Sequence, residues 1–74
     1  MSQAAHLVKM ANQIALNLSA AASDEDALEL TAQHIRKFWT PVMTRKLVDY
    51  AAGGGEGCSP LVARVIQERL QTPA

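Results

Sequence analysis

The sequence predicts a small all-α bundle of three to four short helices. Apolar residues recur at three- and four-residue steps from one end to the other, and no stretch alternates with the two-residue period of a strand. Two hydroxyl-plus-proline pairs, Thr40-Pro41 and Ser59-Pro60, also supply helix starts, since a threonine or serine caps well and proline fits the first helical position. The spacing places helices over about residues 3–21, 24–39, 41–52 and 60–71.

In the first helix Leu7, Met10, Ala11, Ile14 and Leu18 form one apolar stripe. The only formal side-chain charge between Met1 and Ser23 is Lys9, and Ala5, Val8 and Leu16 lie off the stripe. A helix apolar on most sides calls for cover on most sides, which three short companions are not expected to provide. The second helix starts where Ser23 can cap it, with Asp24, Glu25 and Asp26 in the first turn, where carboxylates suit the helix dipole. Its inward face is Leu28, Thr31, Ala32, Ile35 and Trp39. On a helical wheel of about 100° per residue, Phe38 and Trp39 straddle Ile35, so both rings are expected against the core. Thr40 and Pro41 break this helix and start the third, with Met43, Leu47, Tyr50 and Ala51 inward. That helix ends in GGGEG, which holds all four glycines and reads as a glycine cap plus a flexible turn. Leu61, Val62, Val65, Ile66 and Leu70 form the stripe of the fourth helix, placed either on the bundle or on a partner.

A chain of 74 residues makes a single domain, 1–74. A domain of this size buries only ~60% of its unfolded surface. A single core of this size seldom supplies more than roughly 3–5 kcal/mol, so some supplement is usual. Cys58 is the sole cysteine, which excludes an internal disulfide and fits a reducing, cytoplasmic setting. Two histidines and one cysteine without close-pair spacing do not make a structural zinc site. The remaining supplement is a partner chain or a homo-oligomer. Lys9, Asn12, Gln13 and Asn17 interrupt the first apolar run, so neither a membrane span nor a secretory signal is expected.

Net charge is zero, which gives no global basic field for nucleic acid. The charges are nonetheless segregated into an acidic group, Asp24, Glu25, Asp26 and Glu29, and a basic group, Arg36, Lys37, Arg45 and Lys46. Solvated helix faces account for both; orientation against a partner is the functional alternative. The glycine run lacks the lysine, hydroxyl and preceding strand of a phosphate loop. Cys58 stands by a helix start, where the dipole lowers a thiol pKa, but no base and acid are spaced to converge on it. No catalytic, cofactor-binding or metal-ligating residue is assigned.

Three stretches together, VKMANQIA (residues 8–15), HIRKFW followed by PVM (34–43) and GGGEGCSPLVARVIQERL (53–70), resemble the delta subunit of NAD-dependent, molybdenum-containing formate dehydrogenases. The resemblance implies a non-catalytic accessory polypeptide docked on the large (alpha) subunit of a multi-subunit complex. In that complex it would aid assembly, cofactor loading or stability. Molybdopterin, iron–sulfur clusters and FMN would belong to the partner subunits. Where the family often has an acid and an arginine, this chain has Thr40 and Val42. Threonine still caps the helix, whereas valine offers no ionic contact. The expected partner-binding residues are Met10, Asn12, Gln13, His34, Arg36, Lys37, Trp39 and Arg45. An alternative is a self-associating regulatory or nucleic-acid-binding module that uses Arg36, Lys37, Arg45 and Lys46 as its basic patch.

Overall fold

The computed structural model describes residues 3–70, which form four helices: α1 (Gln3–Ser19), α2 (Asp24–Phe38), α3 (Pro41–Ala52) and α4 (Pro60–Val65). The last runs on as a π-helical turn over Ile66–Leu70, and the described residues include no strand. The caps explain the starts. The hydroxyls of Ser23, Thr40 and Ser59 accept from the backbone N–H groups of Asp26, Met43 and Val62, each at 3.2 Å. Each satisfies a donor that the first helical turn leaves unpaired.

The stops differ from expectation by small, local amounts. α1 ends at Ser19 and not at 21, because the Ser19 hydroxyl bonds the Leu16 carbonyl and Ala21 N–H reaches only to Leu18. α2 ends at Phe38: Trp39 still donates to Ile35, but its ψ of 147° and that of Thr40, 156°, are extended. Those two residues are the joint between α2 and α3. At the end of α3, Gly55 N–H bonds the Tyr50 carbonyl and Gly54 N–H the Ala51 carbonyl, with Gly54 at positive φ. This is a Schellman closure, which favours glycine at that position.

α1 is the central element and packs on α2, α3 and α4. Its buried face is Leu7, Val8, Ala11 and Ala15, with Met10 and Ile14 half-buried. Val8, expected off the stripe, is therefore a core residue, because the glycine loop and α4 cover that side; a Cβ at Gly57 would lie 3.8 Å from Val8 Cγ1. Three companions surround α1 more fully than its length suggested, although Leu16 stays exposed. Every inward residue expected on α2 is buried: Leu28, Thr31, Ala32, Ile35 and Trp39. Leu47 of α3 and Val62, Val65 and Ile66 of the last helix complete the core, so the fourth helix packs on the bundle.

Phe38 corrects the expectation that both rings face inward. It is 67% exposed, whereas Trp39 is 8% exposed. The helix ends between them, so Trp39 turns beneath the corner with α3 and Phe38 stays on the outer flank of the last turn.

The π-helical turn has a packing consequence. At about 100° per residue Arg69 would fall between Val65 and Ile66, on the core side. The wider turn shifts it to the flank, where its Nε meets Glu29 at 2.8 Å. The expected extension of this helix to residue 71 lies outside the described residues.

Candidate functional site

Four of the expected contact residues converge on one groove at the α2–α3 corner. α1 supplies Met10, Gln13, Ile14 and Asn17, α2 and the joint supply His34, Phe38 and Trp39, and α3 supplies Met43, around a cavity of about 480 Å³. Helical spacing explains the set, since residues three and four apart share a face. Gln13 donates to Asn17 across one turn at 3.1 Å. The His34 ring lies 4.8 Å from that of Phe38 with the planes tilted by 44°, and Lys37 Nζ stands 6.0 Å from the centre of the Phe38 ring. The groove is thus an apolar trough with polar edges and one ring standing out of it.

The other expected residues lie elsewhere. Arg36 and Arg45 border a second groove with Trp39, Pro41, Thr44, Val48, Asp49 and Leu70. Arg36 also donates to the Arg69 carbonyl, where it neutralises the end of the last helix. Asn12 turns to the loop before α4, donating to the Gly57 carbonyl at 2.8 Å and accepting from Ser59 N–H at 2.9 Å. Tyr50 donates to the Glu56 carbonyl at 2.6 Å. The loop expected as a flexible turn is therefore tied from both α1 and α3. The four basic residues do not share one groove: Lys46 donates to Gln3 and borders a further groove with His6, Leu7, Val42 and Met43.

The acidic group does work within the chain that sequence reasoning missed. Arg64 pairs with Glu25 at 2.9 Å and with Glu68 at 2.9 Å, and Arg69 pairs with Glu29. Arg69, and then Gln33, hold Glu29 below the ordinary glutamate pKa, and Arg64 does the same to Glu68. Lowered carboxylate pKa values contribute stability that is present above the ordinary value of 4.5 and is lost as pH falls through the lowered values. The melting temperature is accordingly expected to fall in acid below that value. The fall should be shallower in Arg69→Met, measured by circular dichroism at fixed ionic strength. Burial pushes the Cys58 thiol up, opposite to the activation a helix start gives, so it acts as a half-buried apolar contact.

Residues 6–66 match the family described as NADH-dependent formate dehydrogenase delta subunit, FdsD. The chain belongs to that family. It is thereby a subunit of a formate dehydrogenase complex, as the three sequence stretches implied. No curated protein and no solved structure gives a match. Among the described residues no three His, Cys, Asp or Glu side chains stand together as metal ligands. No described helix is long and apolar enough to cross a membrane. In this delta subunit the corner groove brings together four of the eight expected contact residues, Met10, Gln13, His34 and Trp39.

Proposed function

We propose that this chain is a non-catalytic accessory subunit. It binds the large molybdenum-bearing subunit of the formate dehydrogenase in the cytoplasm and supports its assembly, cofactor loading or stability. Molybdopterin, iron–sulfur clusters and FMN belong to the partner subunits. Family membership supports the complex. The observation that carries docking is Phe38, a ring 67% exposed beside the half-buried Met10, Ile14 and Met43 in a chain with only three aromatics. A small domain gains by burying such a ring, and an apolar patch with polar edges is the usual form of a contact surface. Met10, Gln13, His34 and Trp39 form that surface, with Lys37 at its edge and Arg36 and Arg45 on the neighbouring groove.

The test is made in the native host. Tagged chain is expected to co-purify with the dehydrogenase subunits, and deletion is expected to lower formate oxidation together with the molybdenum content of the large subunit. Co-purification of no dehydrogenase subunit, with activity and molybdenum unchanged on deletion, would reject the proposal.

A further inference from the structure

We infer that the corner groove receives an amphipathic helix of the partner subunit, apolar on the side laid into the trough and carrying aspartate or glutamate along its edge. The inference rests on the accessory-subunit proposal and adds the chemistry of the segment recognised.

Shape is the first ground. α1 and α2 are joined by a short turn and pack on one another, so the trough between Met10 and Ile14 on one side and His34 and Phe38 on the other lies along their seam. A seam between two helices is the usual bed for a third, read through anchors spaced along one face. Methionine at two positions, Met10 and Met43, suits this use, because an unbranched and polarizable side chain adapts to its occupant.

The distribution of exposed apolar groups is the second. Phe38 lies in this groove, Leu30 is on the same flank of α2 one turn before His34 and is 43% exposed, and Val42 borders the adjoining groove that shares Met43 and is 63% exposed. Three of the four large apolar side chains exposed among the described residues therefore gather on one side.

Charge decides the occupant. Neither of the two adjoining grooves is lined by an aspartate or glutamate, while Lys46 lines one of them and Lys37 stands beside Phe38 of the other. Of the acids, Glu25, Glu29 and Glu68 are paired with arginines, Asp49 borders the second groove, and Asp24 lines the groove that holds Leu16. A cationic edge around an apolar floor selects a partner with carboxylates at matching positions. A second copy docked by the same face would bring the same cationic edge against it, since a two-fold contact sets a patch against itself.

The experiment uses the intact complex purified from its host. A photoreactive phenylalanine analogue is placed at position 38, and in a separate preparation at position 16, where Leu16 lies in a different groove. Position 38 is expected to crosslink to a helical peptide of the large subunit that carries acidic residues. Lys37→Glu and Phe38→Ala are each expected to weaken reassembly of the complex by about tenfold or more, the former with a deficit that shrinks in high salt. A crosslink from position 38 to a second copy, or to a peptide without acids, overturns the inference. So does an intact complex that crosslinks from position 16 and not from 38, an outcome that leaves the accessory-subunit proposal standing. Failure of the unaltered chain to co-purify removes that proposal and this inference together. Phe38→Ala should melt like the unaltered chain, so lost assembly would not reflect lost folding.

Discussion

Trp39→Ala is expected to leave the isolated chain largely unfolded at room temperature, whereas Phe38→Ala, one residue earlier, leaves its stability nearly unchanged. Trp39 is 8% exposed and packs in the main core with Leu7, Val8, Ile35, Leu47 and Ile66. Truncating a buried tryptophan costs about 3–5 kcal/mol. A single core in a domain of this length supplies roughly the same amount, so the loss is comparable to the whole stability. Phe38 is 67% exposed, and substitutions at such positions usually fall within about 0.5 kcal/mol. Urea titration followed by helical circular dichroism separates the two. A Trp39→Ala chain that melts cooperatively near the unaltered protein would show that the corner does not depend on the indole.

The contrast between these neighbours marks where sequence reasoning stops. Ser23, Thr40 and Ser59 were legible as caps because the bond each makes lies within three residues, and Pro41 and Pro60 fix the adjoining turns by covalent geometry. The inward face of α2 was legible throughout, since a helix repeats its own phase. Phe38 was not, because the wheel puts both rings within reach of the core. The choice between them is made by the chain leaving the helix at Trp39, in tertiary contact with α3. Val8 failed for a related reason: its cover comes from a loop nearly fifty residues away. The pairs Arg64–Glu25 and Arg69–Glu29 join positions about forty residues apart, and the second also needs the π-helical turn. Of the expected contact residues, those on α1 and α2 with matching helical phase came together, while Asn12, on the far flank of α1 from the groove, did not.

Asn12→Ala is the second large effect, and it is expected to loosen the start of the fourth helix while leaving the corner groove intact. Both ends of the Asn12 amide are used: its NH₂ donates to the Gly57 carbonyl, and its oxygen accepts from Ser59 N–H. Ser59 is itself the cap of α4, so the α1 side chain fixes the residue that fixes the helix. Removing the amide leaves the part-buried Ser59 N–H without its acceptor, at a cost of about 1 kcal/mol or more, while the exposed Gly57 carbonyl can turn to water. Amide exchange is the direct readout. Ser59 and the amides after it should exchange faster in Asn12→Ala, whereas those around His34 should change only as far as global stability falls. Asn12→Asp refines the test, because the two side chains have the same shape. The carboxylate still accepts from Ser59 N–H but has no proton to donate to the Gly57 carbonyl, so exchange at Ser59 should fall between that of Asn12→Ala and that of the unaltered chain. Unchanged Ser59 exchange in Asn12→Ala would show that Tyr50 and the glycine closure hold the loop without α1, and Asn12 would then be free to serve the partner surface first expected of it.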